Sequence, residues 1–391
     1  MRDVDVAIVG GGLAGSAAAA MLGRAGIATA LVDPHARYPS DFRCEKLDTS
    51  QLALLRQSGL AEGILPAGTL NDDITVARFG RRFDRRRMIQ CGFHYDALVN
   101  AARAAVPASV AVIHGKALGL ETSTERQTVT LAGGEVISAR LVVLANGLNV
   151  ALRQNLGLDR DVLSACHSIS IGFDVAPVGR PGFDFRALTI FPRRTADRVA
   201  YLSLFPIGDT MRANLFVYRD MRDPWLRRMR HSPAAALEEL LPEARRLIGT
   251  FRVTGDVAVR PVDLYATTGL ARDGLVVVGD AFATSCPAAG TGTNKVLTDV
   301  VQLCAEHIPG WLATGGMNAA KIAPFYDDPV KRACDAHSLA KAFHLRAIST
   351  EVSPQWRVRR LARSTAQIGL AALRRLKQRL AVVQPLSSPH Q

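Results

Sequence analysis

Gly10, Gly12 and Gly15 fall at G-x-G-x-x-G spacing, and an acid, Asp33, follows them. Residues of these types at this spacing do phosphate and ribose chemistry. Gly10 makes a tight turn, Gly12 lets backbone approach a pyrophosphate, and Gly15 lets a helix pack closely on a strand. The first turn of that helix, with Leu13 and Ala14 between the glycines, points free N–H groups and a positive dipole end at the phosphates. Asp33 sits where a carboxylate accepts ribose hydroxyls. The elements that must position these groups are legible around them. Residues 6–9 are a short apolar run suited to a buried parallel strand, 17–24 are strong helix formers, and 28–32 return to an apolar strand. Strand, turn, helix, strand and terminal acid together predict a dinucleotide-binding unit rather than a glycine-rich structural turn.

A second stretch of this kind, GDAFATSCPAAGTGTN over residues 279–294, follows a buried-strand pattern at 275–278 and opens a helix near Thr293. Between the two lie a loop with Arg43, a helix through Leu52, Leu55 and Leu60, and a basic hairpin-like region at 73–90. A helical pattern starts at Tyr95, and strands follow within VAVIHGKALGLETS and up to Leu144. From about 165 to 270 short alternating strands predominate, with one helical interruption, which predicts an antiparallel sheet inserted between the halves of the nucleotide domain.

The chain resembles the FAD-dependent aromatic hydroxylases and their relatives, the group A flavoprotein monooxygenases of the para-hydroxybenzoate hydroxylase fold. The resemblance covers the order of motifs over about residues 4–310 and rests on GGGLAG with Asp33, on FRCEKLDTSQLALL, and most specifically on GDAFATSCPAAGTGTN. It implies that Arg43 contacts FAD, that Asp280 meets the ribityl chain, and that the amides of Gly292, Thr293 and Asn294 lie beside flavin N1 and O2. Pro287, Gly290 and, within VAVIHGKALGLETS, Ala117 join this cofactor-binding set. A helix N-terminus at that place suits the negative charge of a reduced flavin. Two departures stand out. In LANGLNVALR, Asn146 replaces the family's aspartate although Gly147 and Arg153 remain, and Tyr95 stands where an FAD-contacting Arg or Gln often begins a helix.

The fold expected is α/β: a Rossmann-like FAD-binding domain (1–165 and 271–330), an inserted, mainly antiparallel substrate sheet (166–270), and a basic helical C-terminal segment (331–391). The activity the resemblance implies is insertion of one oxygen atom from O2 into a small organic substrate by way of a flavin C4a-hydroperoxide. NADPH or NADH, or a reductase partner, would supply the electrons. The alternatives are a reductase or dehydrogenase of a prenyl or other unsaturated substrate, a flavin-dependent halogenase, and a flavoprotein that binds a lipid surface or partner without turnover. Pro287 and Lys46 are the catalytic candidates. Glu45 and Lys46 are expected as an ion pair on their loop, and Cys286 as a packed small side chain. No metal is expected, because the six cysteines are scattered without a C-x-x-C pair or His/Cys cluster.

Net charge is +13, but residues 331–391 hold twelve Lys and Arg against Asp335 and Glu351 and contribute +10 of it. A basic tail of this kind does not make the whole chain a nucleic-acid binder. On a helical wheel from Trp356 to Val383, Leu361, Thr365, Ile368, Leu376, Leu380 and Val383 share a face opposite Arg359, Arg360, Arg363, Arg374 and Lys377. Two accounts fit: a terminal helix packed on its own domain with a solvated charged face, or a helix lying on an anionic membrane. The expected location is cytoplasmic, with peripheral attachment to the inner face of a membrane under the second account.

Overall fold

The computed structural model describes the backbone of residues 2–383 and the side chains of residues 2–373. The chain opens as β1 (Arg2–Val9), a helix over Leu13–Arg24, and β2 (Thr29–Asp33). It leaves this layer for β3 (Lys46–Asp48), β4 (Thr69–Arg78) and β5 (Arg81–Gly92), then returns for β6 (Ala111–His114), β7 (Ala117–Glu121), β8 (Gln127–Leu131) and β9 (Val136–Leu144). A second excursion makes β10 (Arg160–Pro177), β11 (Ala187–Ile190), β12 (Val199–Ile207), β13 (Thr210–Val217) and β14 (Phe251–Thr267), before β15 (Leu275–Val277) rejoins the first layer.

The first sheet runs β6-β2-β1-β9 with β15 beside β9, all parallel, and β8 and β7 continue it as an antiparallel meander. Its central strands are buried on both faces, with Val6, Ala7, Ile8 and residues 141–144 fully inaccessible, as a covered parallel sheet requires. Small side chains at Ala17, Ala18, Ala19 and Ala20, all fully buried, bring the first helix close to that sheet. Val9, Asp33, Leu144 and Val277 end their strands at one edge, where ligands of such sheets bind.

The second sheet runs β14-β10-β13-β12-β11-β4-β5-β3 and is antiparallel except where β11 pairs with β4. It therefore is not confined to 166–270. β10 begins at Arg160, and the basic hairpin from the first third of the chain belongs to this sheet. The arginines that make β5 look like free surface are paired locally, Arg82 with Asp184 and Arg85 with Asp73. The join depends on Ile74 to Ala77 meeting Ala187 to Ile190 across a large sequence gap. Side chains alternate across this sheet. Ile169, Ile171, Phe173, Leu215 and Val217 pack with Trp225, Met229, Leu237 and Leu240 from the helical break, while Ser170, Ser203 and Asn214 line a chamber on the other side.

The helix over Pro354–Val383 has the expected extent but an unexpected orientation. Arg360 donates to the Glu351 carbonyl at 2.6 Å and Ala371 is buried, so this side of the helix faces the body of the protein. Val358 and Leu361 are 66% and 69% exposed, and Ile368 and Leu373 also face out. Among the described residues the stripe, at Leu361, Thr365 and Ile368, is thus turned to solvent, unlike the account in which it packs on its own domain. The side chains of Arg374, Leu376, Lys377, Leu380 and Val383 lie outside the described residues.

His167 sits in an irregular stretch of β10, between Ser164 and Ser168, and is fully buried. Its Nε2 lies 3.3 Å from the Ala342 carbonyl on the helix Pro329–Thr350, and its Nδ1 lies 3.1 Å from the Ser164 hydroxyl. Burial, and then the Arg346 guanidinium, push its pKa from 6.5 down to about 4. The unfolded chain therefore binds this proton more readily than the native state does. The stability linked to His167 is complete above about pH 6.5 and is lost as pH falls towards about 4. Thermal unfolding of wild type and His167→Gln at neutral and mildly acidic pH should show a smaller acid-induced fall in Tm for the variant. Equal falls would contradict this role.

Candidate functional site

The turn after β1 is built by steric demands that only glycine meets. Gly10 has φ +110°, and a Cβ there would strike the Ala145 carbonyl; a Cβ on Gly15 would collide with the Gly10 carbonyl oxygen. Gly12 differs, because a Cβ there would meet nothing within 4 Å and would project into open space. Asp33 accepts the amides of Gly11 at 2.7 Å and His35 at 2.9 Å, and pairs with Arg103 at 2.9 Å. Burial raises its pKa, but these two amides and Arg103 outweigh that and hold it below the ordinary carboxylate value. Arg103 also donates to the Gly11 carbonyl at 2.7 Å, so the helix Tyr95–Ala104 clamps the loop. Nothing local in the sequence marks Arg103, which is one of forty-eight Lys and Arg.

Asp280 follows Gly279, whose φ is +63° and where a Cβ would come within 3.2 Å of the Ala14 side chain. Its carboxylate pairs with Arg43 at 2.7 Å; Arg43 pairs with Asp41 at 2.6 Å, and Asp41 with Arg260 at 2.6 Å. This alternating row runs from the parallel sheet to β14. Three side chains fix the turn beneath it: Tyr265 donates to the Asp280 carbonyl, and Thr267 and Arg153 to the Ala281 carbonyl. Arg153 is only 1% exposed, so it turns inward to this structural task and away from any ligand surface.

The Pro-Gly loop is anchored from the other side. Gln51 donates to the Gly290 carbonyl at 2.9 Å and to Asn294 Oδ1 at 3.0 Å, while Asn294 donates to the Ser50 hydroxyl. Asn294 therefore spends its side chain on the Thr49–Gln57 helix and has only its amide to offer. Thr293 donates to the Cys44 thiol at 3.2 Å, and Tyr201 to the Ala288 carbonyl at 2.9 Å. The helix Gly292–Val301 begins here, and its first amides have no intrahelical acceptor.

Two cavities join these parts. One, of about 230 Å³, is lined by Gly12, Leu13, Ala14, Asn146 and Gly147 together with Arg43, Tyr95 and Asp280. The other, of about 310 Å³, shares Leu13, Arg43, Tyr95 and Asp280 and continues past Pro287, Gly290, Gly292 and Thr293 to the second sheet. Its far wall carries Lys46, Ser170, Tyr201, Ser203, Phe205, Asn214 and Phe216. Ala117 lines neither cavity; it pairs with Leu131 at the meander end of the first sheet. Cys286 lines neither and is fully buried, the expected packed side chain.

Glu45 and Lys46 do not pair with each other, contrary to expectation. Adjacent positions in a strand-like segment face opposite ways. Glu45 accepts two bonds from Arg212 of β13 at 2.7 and 2.9 Å, whereas Lys46 donates to Ser203 of β12 at 2.7 Å. Burial pushes the Lys46 pKa down to about 8.

The shape and polarity fit an extended dinucleotide carrying a flat ring system. Gly12 leaves its cavity open where a Cβ would fill it, the acid–arginine pair flanks the middle, and a helix N-terminus faces the ring end. Asn146 lines the same trough, and its buried Oδ1 has no hydrogen-bond partner in the protein.

A family model described as FAD binding domain matches residues 3–310. Aklavinone 12-hydroxylase DnrF from Streptomyces peucetius subsp. caesius is 27% identical over 188 residues, 40% of this chain and 38% of that protein. The matched part thus spans well under half of that relative. Among solved structures, p-nitrophenol 4-monooxygenase PnpA from Pseudomonas putida DLL-E4 superposes with a TM-score of 0.72 at 16% identity, covering 92% of both chains. The flavin-dependent brominase Bmp2 gives 0.69 at 16% identity, covering 90% of this chain and 91% of that one. The flavin-dependent monooxygenase PieE, solved with FAD and substrate, gives 0.64 at 18%, covering 92% and 68%. At these identities the likeness is one of fold. The match over 3–310 takes in both glycine motifs and the sheet between them, and by it the chain belongs to the FAD binding domain family, in line with its resemblance to the group A flavoprotein monooxygenases.

Proposed function

We propose that the protein inserts one oxygen atom from O2 into a small organic substrate held between the two sheets. The observation that carries this is the continuity of the Gly12 trough with a chamber whose far wall is aromatic and polar. FAD, when bound and reduced, supplies the activation of O2. Gly12, Leu13 and Ala14 would hold its pyrophosphate, with Asp33 on the ribose side and Arg43 and Asp280 along the ribityl chain. The amides of Gly292, Thr293 and Asn294 would stabilise negative charge at the ring, with Pro287 and Gly290 shaping the loop beneath it. Tyr201, Phe205 and Phe216 would exclude water from the reacting face. NADPH, NADH or a partner reductase would provide electrons; Asn146 brings no negative charge to that approach, and Arg153 is turned inward.

Cofactor assignment and fold can be separated by two glycine variants. Gly12→Val should leave the Tm of the flavin-free protein close to wild type and weaken FAD retention at least roughly a hundredfold, about 2.7 kcal/mol. Gly15→Ala should lower the Tm of the flavin-free protein itself. Unchanged FAD retention in Gly12→Val, read by equilibrium dialysis, would remove the pyrophosphate assignment. For the reaction, turnover under isotopic O2 should place one labelled atom in the product. Anaerobic saturation of an alkene without oxygen uptake would replace this reading with the reductase.

The outward stripe of the Pro354–Val383 helix supports peripheral attachment to an anionic membrane, a distinct property of the same protein. Val358, Leu361, Ile368 and Leu373 are exposed beside Arg357 and Arg359, the arrangement of a helix that beds apolar side chains among lipids while cations meet the headgroups. No helix among the described residues is long and apolar enough to cross a membrane. Co-sedimentation with anionic vesicles should exceed that with neutral vesicles and fall at high salt, where the Debye length shrinks to about 3 Å. Leu361→Asp should abolish it. Equal binding to both vesicle types would contradict the charge argument.

A further inference from the structure

The chamber holds five cationic side chains or their immediate neighbours, and three of them are ion-paired with carboxylates of the protein. Arg43 pairs with Asp41 and Asp280, Arg260 with Asp41, and Arg212, behind the wall, with Glu45 and Asp174. Arg160 forms no ion pair among the described residues, but it donates to the Leu148 carbonyl and lies over the Tyr265 ring at 4.2 Å. Lys46 is different. Its ammonium donates one bond, to the Ser203 hydroxyl at 2.7 Å, and stands 5.1 Å from the Phe205 ring centroid. No carboxylate among the described residues forms an ion pair with it. An ammonium in a lined cavity with two donors to spare is costly to keep unpaired, and an anion there recovers much of that cost.

Its surroundings complete a recognition surface. Ser203 and Asn214 are cross-strand partners on β12 and β13, and Ser170 lies on the adjoining β10. The Ser170 hydroxyl is buried with no hydrogen-bond partner in the protein, an unmet polar group on the chamber wall. Tyr201 and Phe216, their ring centroids 4.9 Å apart and their planes tilted by 56°, supply an aromatic flank. Glu45, the nearest acid in sequence, is bound to Arg212 and leaves Lys46 to another partner.

Resting on the chamber as the substrate site, we propose that Lys46 anchors an acidic oxygen of a ring-bearing substrate, a carboxylate or an ionised hydroxyl, with Ser170 and Ser203 supplying the neutral hydrogen bonds. The aromatic flank holds the ring, and the ammonium fixes which edge of it enters first. Lys46 is then a substrate-binding residue that sets regiochemistry by orientation.

Calorimetric titration of the FAD-loaded protein at neutral pH tests this with benzoate, its neutral isostere benzamide, and ionised pentafluorophenol. At least one of the two anions should bind roughly tenfold or more tightly than benzamide. Preference for benzoate names the carboxylate, and preference for pentafluorophenolate names the hydroxyl. Lys46→Met should erase that preference while leaving benzamide binding unchanged, and Lys46→Arg should restore most of it. Equal weakening of all three probes in Lys46→Met would reveal a purely structural lysine and overturn the proposal, as would a wild-type protein that does not favour either anion. Labelled-oxygen incorporation is scored separately. A protein that transfers oxygen but ignores probe charge refutes the anchor alone, and one that prefers the anion but transfers no oxygen refutes the reaction alone.

Discussion

A buried ion pair holds the cofactor end of the molecule together. Lys331, with no exposed side-chain surface, donates to Asp299 at 2.9 Å and to Asp335 at 2.9 Å, and Lys295 reaches Asp335 at 2.9 Å. The other oxygen of Asp299 accepts the Gly279 amide at 3.2 Å, immediately before Asp280. The ammonium also stands 3.7 Å from the Phe282 ring centroid. Removing one partner of such a pair leaves an uncompensated charge in the interior, a loss of about 3–5 kcal/mol. The long helix Pro329–Thr350 is consequently part of the site's foundation, although it lies beyond the stretch matched by the family.

From that anchor the architecture follows a single constraint: two backbone motifs far apart in sequence must meet at the ends of two parallel strands that flank a third. β1 and β15 both pair with β9, which brings the 10–15 turn and the 279–281 turn to one trough. The two excursions from this layer then unite in one large sheet, because β4 and β11 pair in parallel. Helices seal the far side of that sheet with an apolar core, so its polar side chains are left to the chamber.

What was legible in the sequence was what local geometry dictates. Gly10 and Gly15 are required by contacts within one turn, and Asp33, Asp280 and the Pro-Gly loop lie beside the strand ends that place them. Partners chosen across the fold left no such mark. Arg103 on Asp33, Arg260 on Asp41 and Arg212 on Glu45 are ordinary arginines until the chain closes. Ala117 sat in a correctly read strand, yet the meander carries that strand to the side of the sheet away from the trough. The C-terminal helix shows a related boundary. Periodicity revealed that an apolar stripe exists, but the bonds of Arg360 to Ile348 and Glu351 decide which way it points.

The row Asp280–Arg43–Asp41–Arg260 bears on exchange as well as on shape. Arg43 holds two carboxylates at once, 2.7 Å from one and 2.6 Å from the other. If a ligand hydroxyl takes its place on Asp280, the guanidinium keeps a counter-charge in Asp41, which Arg260 in turn steadies. Release of Asp280 therefore creates no stranded charge on the arginine side. The same pair ties the loop of Arg43 to the turn that ends β15. Because Arg43 and Asp41 each hold two partners, a change of partner at Asp280 is a local swap that leaves the rest of the row in place.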